Sequence, residues 1–156
     1  MVLVAIESVA SPNHYVRLDG SKVTQFLPPG GGTVNTQSFI GTYETFTLVE
    51  NKDGTVSFRS TVFNNVFLRL DGNGVDKDKL YPSGGGTVNA QFTALTLERF
   101  KIHKKDDPAG KYQGVVGIES AAYPGRYLRV DVKANKVNVQ GVFRTLEEFK
   151  ILVVGQ

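Results

Sequence analysis

The chain of 156 residues has no cysteine and no tryptophan, and only two histidines and one methionine. Without a thiol there is no disulfide framework, no thiolate zinc site and no cysteine nucleophile. The two histidines, His14 and His103, stand at unrelated places in the chain and form no His/Asp/Glu spacing suited to a metal. No Gly-x-Ser-x-Gly elbow occurs. Neither Gly30-Gly31-Gly32 nor Gly84-Gly85-Gly86 leads into Lys-Ser/Thr or a helical pattern, so neither is a phosphate loop. Asp76 and Asp78 lack the trailing glutamate of a calcium loop. These absences together point away from an enzyme and away from any cofactor.

Other classes are also thinly supported. No apolar run approaches the length that spans a bilayer, so membrane insertion is not expected. The opening stretch Met1–Ser8 lacks a basic leader and is short for a signal peptide. With no cysteine and no Asn-x-Ser/Thr sequon, the expected setting is cytoplasmic, with secretion left open. The net charge of +3 is carried by scattered lysines, with local groups at Lys101, Lys104 and Lys105 and at Lys77 and Lys79. That is too sparse for the stripe of a nucleic-acid-binding domain. No helical periodicity is sustained over about 11 residues, and glycine and proline punctuate the whole chain.

What is present is a pattern written three times. Val4-Ala5-Ile6-Glu7-Ser8, Val56-Ser57-Phe58-Arg59-Ser60 and Val116-Gly117-Ile118-Glu119-Ser120 alternate with period 2, the sign of a half-buried strand. A turn follows each: Pro12-Asn13, Asn64-Asn65 or Pro124-Gly125. The second strands are Tyr15–Asp19, Phe67–Asp71 and Tyr127–Asp131, and Ser to Asp is 11 residues in every copy. Third strands carry Asn35 and Gln37, Asn89 and Gln91, Asn138 and Gln140. Fourth segments are Glu44–Leu48, Glu98–Ile102 and Glu147–Ile151, with the recurring Glu44, Glu98 and Glu147 at their heads and Phe46, Phe100 and Phe149 each 9 residues beyond the Gln. Between Asp and Asn the spacing is 16, 18 and 7 residues, so variation is confined to one loop.

One such unit has a single apolar face and cannot cover it alone. Val4, Ile6, Phe46 and Leu48 fall on one side of their strands, as do Val56, Phe58, Phe100 and Ile102, then Val116, Ile118, Phe149 and Ile151. In the second strand, Val16 and Leu18 face opposite to Tyr15 and Arg17. Burying each large apolar side chain is worth about 1.5–3 kcal/mol, and packing three units about an axis buries them together. A propeller needs about four to eight blades. Three four-strand units are the count of an all-β β-trefoil, a barrel closed by hairpins and free of open sheet edges. The expectation is one such domain over residues 1–156, with repeats at roughly 1–52, 53–110 and 111–156.

Short stretches resemble known trefoil families. Glu119–Arg129 resembles repeats of the arabinofuranose-binding module found beside some arabinofuranosidases. Asp53–Ser60 leading to Phe67-Leu68-Arg69 is similar to a fascin repeat, and Gln followed by Glu-x-Phe is similar to the last strands of ricin-B-like lectin repeats. The arabinose-binding pattern has a His where this chain has Leu18, Leu70 and Val130, and ricin-type repeats carry a Trp that is absent here. The resemblances imply a glycan or glycoconjugate as partner, or actin on the fascin side.

The polar residues that recur are the candidates for a binding site: Asp19, Asp71 and Asp131; Asn35, Asn89 and Asn138; Gln37 and Gln91, with Gln140 as their third counterpart. Asp with an Asn amide offers a sugar both hydrogen-bond polarities. The same residues also suit scaffolding, since Asp19-Gly20 and Asp71-Gly72 are good turn formers. Copies one and two carry matching long loops, Gln25–Thr33 and Lys79–Thr87, each with an aromatic, a proline and three glycines. Copy three has only Val132–Lys136 there. The expectation is a non-catalytic carbohydrate-binding module, bivalent through repeats one and two, with Phe26 and Tyr81 against the ligand. The alternatives are a fascin-like actin-binding or cross-linking domain, and a trefoil protease inhibitor using Phe26-Leu27-Pro28-Pro29.

Overall fold

Each repeat supplies four strands to the computed structural model, which describes residues 1–104 and 114–156. Lys105 and the expected repeat junction at 110/111 lie outside the described residues. Repeat one contributes β1 (Val2–Ser8), β2 (Tyr15–Asp19), β3 (Thr33–Gln37) and β4 (Phe46–Glu50). Repeat two contributes β5 (Val56–Ser60), β6 (Val66–Asp71), β7 (Thr87–Phe92) and β8 (Phe100–Lys104). Repeat three contributes β9 (Val116–Ser120), β10 (Tyr127–Asp131), β11 (Lys136–Gln140) and β12 (Phe149–Gly155). One 3-10 turn precedes each fourth strand, at Thr42–Glu44, Thr96–Glu98 and Thr145–Glu147.

The first and fourth strands form a closed antiparallel ring in the order β1, β4, β5, β8, β9, β12 and back to β1. The second and third strands form three hairpins in one shared register, with Arg17 opposite Asn35, Arg69 opposite Asn89 and Arg129 opposite Asn138. A six-strand barrel capped by three equivalent hairpins is a β-trefoil. This is the all-β fold class expected from the repeats.

Its interior is the set that alternation picked out. Phe46, Phe58, Phe100 and Phe149 are wholly buried, joined by Val4, Ile6, Val116 and Ile118, while Ile102 is half-buried against them. Phe58 meets Phe46 of repeat one edge-on at 6.2 Å and Phe100 of its own repeat at 5.8 Å between ring centres, so the ring cluster crosses from repeat one into repeat two. From the hairpins, Val16, Leu18, Leu68, Leu70, Leu128 and Val130 close one end of the barrel. The turns repeat as well. Ser8, Ser60 and Ser120 each accept the backbone N–H three residues on through their hydroxyls. Asn13 (φ 66°), Asn65 (φ 58°) and Gly125 (φ 83°) take the left-handed conformation that lets the chain reverse.

On the outer faces of the hairpins, Arg69 and Arg129 are each only 3 % exposed. Their cover is a loop arriving from the preceding repeat.

Candidate functional site

The long loop of repeat one does not stand free beside its own hairpin. It lies across β6 and β7 of repeat two. The Leu27 N–H donates to Gln91 Oε1 (3.3 Å), and Gln91 Nε2 donates back to the Leu27 carbonyl (2.5 Å). Arg69 donates to the Pro28 carbonyl (3.0 Å), and Asn89 Nδ2 to the Pro29 carbonyl (2.9 Å). Gly31 and Ala90 then exchange backbone hydrogen bonds, both 2.8 Å.

Repeat two does the same to repeat three. Tyr81 exchanges N–H and carbonyl bonds with Gln140, both 2.8 Å. Arg129 donates to the carbonyls of Pro82 (3.3 Å) and Ser83 (3.2 Å), and Asn138 Nδ2 to Ser83 (2.9 Å). Gly85 pairs with Val139 as Gly31 pairs with Ala90. The turn that makes this approach possible needs glycine. Gly30 (φ +70°) and Gly84 (φ +67°) are left-handed, and a Cβ at Gly30 would sit 2.7 Å from the Ala90 carbonyl. Aligned by these bonds, Leu27 corresponds to Tyr81, and Phe26 to Leu80.

Arg, Asn and Gln on each hairpin are therefore a receptor for a peptide turn, and two of the three receptors are filled. Repeat three has no long loop to send onward. Its stub offers one side chain, Asn135, whose Oδ1 accepts the Thr36 N–H (3.0 Å) and the Thr36 hydroxyl (2.7 Å). Asn135 thus stands in for the Gly31 and Gly85 carbonyls and goes no further. On repeat one, Arg17 donates to Asn35 Oδ1 (3.4 Å), and among the described residues Gln37 Oε1 accepts the N–H of Ser38 alone (3.3 Å). The Arg17 side chain is 24 % exposed, against 4 % for Arg69 and for Arg129. Among the described residues nothing takes the amide N–H groups of Asn35 Nδ2 or Gln37 Nε2.

An open groove of about 220 Å³ remains, lined by Arg17, Gln37, Phe39, Gly41, Tyr43 and Glu44. Its two aromatics belong to repeat one alone. Phe39 corresponds to Thr93 and Val142, and Tyr43 to Leu97 and Leu146. Phe39 is 58 % exposed, and its ring lies over Gly41, where a Cβ would meet it at 3.2 Å. Tyr43 carries the Arg17 guanidinium on its face, 4.9 Å from the ring centre. Arg17 also has two carboxylates near it, Asp19 at 3.7 Å and Glu44 at 3.9 Å.

The remaining candidates have local partners. Asp19, Asp71 and Asp131 each accept a backbone N–H of the following turn and sit 3.4–3.7 Å from the arginine two residues earlier. Phe26 is exposed on its loop. The Tyr81 hydroxyl accepts the Asp76 N–H (2.8 Å), and Lys79 lies over its ring. Asn89, Gln91 and Asn138 hold the loops. Glu44, Glu98 and Glu147 are buried and close the 3-10 turns, accepting the N–H groups of Gly41, Leu95 and Arg144. Burial pushes the Glu98 and Glu147 carboxyls up from the ordinary glutamate range. Sequence reasoning did not single out Phe39 and Tyr43. The signal was available, because they are the aromatic exceptions at two positions where the other copies are Thr/Val and Leu.

A second cleft, about 400 Å³, lies on repeat three between Lys77, Asp78, Glu119, Tyr127 and Phe143. Tyr127 and Phe143 stack at 5.5 Å. Glu119 accepts the Gly125 N–H (2.5 Å) and pairs with His103. Burial pushes the Glu119 carboxyl up, but these partners outweigh it and hold it below the usual range.

No protein-family profile matches the sequence, and no curated protein does. Solved structures do match in three dimensions. One is a structure described as SeviL bound to asialo-GM1 saccharide, 8 % identical, with TM-score 0.68 over 99 % of both chains. Another is the designed three-fold symmetric protein ThreeFoil, 11 % identical, with TM-score 0.70 over 97 % of this chain and 99 % of that one. A third is a GlcNAcα1-4Gal-releasing endo-β-galactosidase from Clostridium perfringens, 7 % identical, with TM-score 0.69; the match spans 33 % of that chain. At such identities the likeness establishes the fold, and the site must be argued from its own residues.

Proposed function

We propose that this β-trefoil is a non-catalytic carbohydrate-binding module whose sugar sits in the open groove of repeat one. The observation that carries the reading is a combination found, among the described residues, on repeat one: an Arg17-Asn35-Gln37 receptor that takes no loop, flanked by Phe39 and Tyr43. A sugar asks for convergent donors and acceptors around its hydroxyls and an aromatic surface for its C–H face. The similarity to a structure solved with a bound saccharide supports the same class of ligand.

This reading assigns one site where the sequence suggested two. The loops of repeats one and two occupy the receptors next to them, so the carboxamides of Asn89, Gln91 and Asn138 are engaged by loop backbone rather than facing a ligand. No feature of the described residues favours the actin-binding or inhibitor alternative over it. A glycan array probed with the wild-type protein and with Tyr43→Ala tests the proposal. Retained signal for a defined set of glycans, lost in the variant with unchanged circular dichroism, is the expected result. A blank array for the wild type, or equal signal from both proteins, refutes it.

A further inference from the structure

We infer that the repeat-one groove selects neutral sugars bearing an N-acyl group, 2-acetamido pyranoses above all. This rests on the carbohydrate reading and adds the class of sugar. The filled receptors of repeats two and three record what these side chains hold. In each, the Gln carboxamide takes the N–H and the carbonyl of a single residue, Leu27 or Tyr81. That donor and that acceptor sit on adjacent carbons. An amide N–H beside a ring oxygen substituent on the next carbon, as at C2 and C3 of a 2-acetamido pyranose, presents the same pair to Gln37. The Arg and Asn of each filled receptor then take neutral amide carbonyls, those of Pro28 and Pro29 or of Pro82 and Ser83. An acyl carbonyl is an uncharged acceptor of the same kind for Arg17 or Asn35, bonded on the sugar to the amide nitrogen itself, where in the turns the carbonyl taken belongs to a residue after the paired one.

Charge argues against the obvious competitor, an acidic sugar. Arg17 is one cation beside two carboxylates, Asp19 and Glu44. A third carboxylate in the groove would meet net repulsion. Arg69 and Arg129 carry the same Asp neighbour, Asp71 and Asp131, and both hold uncharged carbonyls. The aromatics add a second ground for selection. Phe39 leaves an apolar ring exposed beside the polar receptor, and an acetyl methyl has an apolar face to offer it. A peptide turn does not require these rings, because Thr93, Leu97, Val142 and Leu146 stand at their positions where the turns bind.

Isothermal titration separates the possibilities, using methyl glycosides of N-acetylglucosamine, N-acetylgalactosamine, glucose, galactose and glucuronic acid, and a capped peptide of residues 26–30. At least one acetamido sugar is expected to bind about tenfold or more tightly than its parent hexose, one lost amide contact being worth about that factor. Gln37→Ala and Arg17→Ala should each erase this preference. Equal binding of acetamido and parent sugars, or tighter binding of the uronate, overturns this inference and leaves the carbohydrate reading standing. Binding of the peptide without any sugar, or of nothing, overturns both.

Discussion

At the scale of the residue, three arginines that look alike in sequence do unlike work. Arg129 joins two loop carbonyls and Asn138 Oδ1 while almost fully buried. Arg129→Ala strands those acceptors and should cost about 2–4 kcal/mol in chemical denaturation, because unpaired buried groups bear the full desolvation penalty. Arg17→Ala removes a half-exposed side chain with weaker pairing, and should cost less than about 1 kcal/mol. Glycines divide in the same way. Gly54 (φ +86°) has nothing within 4 Å of a Cβ, so Gly54→Ala should cost about 1 kcal/mol for the left-handed backbone alone. At Gly84 the Cβ would also fall on the Asn138 carboxamide, and Gly84→Ala should cost about 2–3 kcal/mol and loosen the loop. Equal losses at the two glycines, or at the two arginines, would contradict the assigned roles.

At the scale of the element, the β9–β10 turn is fastened by Glu119, which accepts from Gly125 and pairs with His103. A carboxyl held below its ordinary value adds stability that is present above that value and is lost as pH falls through the folded one. The stability gap between wild type and Glu119→Gln should therefore be full near pH 7 and close below about pH 4.5, the ordinary value for this group. A gap that stays constant to pH 3 would contradict the role of this carboxylate. The strands themselves were legible in the sequence because period-2 alternation and two fixed offsets leave little freedom: Val4 and Ile6, or Phe46 and Leu48, can face only one way. What the long loops do was not legible. Leu27 meets Gln91 from 64 residues away, and backbone carbonyls of Pro28 and Pro29 carry no side-chain signature. Two elaborate loops and one stub suggested two sites and one lost site. In space each loop fills its neighbour, so the stub marks the opening.

At the scale of the whole molecule, the hairpin loops follow sequence order: the loop of one lies on two, the loop of two lies on three, and the short loop of three reaches β3 of one, among the described residues, through the Asn135 side chain. The barrel ring leaves no repeat with its own core, since Phe58 packs with phenylalanines of repeats one and two and β12 pairs with β1. A fragment of residues 1–52 should accordingly show no cooperative thermal unfolding by circular dichroism, and a sharp transition would contradict the shared interior. The proposed function makes the repeat-one groove the ligand site because, among the described residues, no long loop reaches it. Replacing residues 132–136 with residues 72–87 gives repeat three the loop it lacks. The grafted protein should gain about 1–3 kcal/mol from the added hydrogen bonds and lose binding of the sugar the wild type takes. A folded graft that binds that sugar with wild-type affinity would contradict the account.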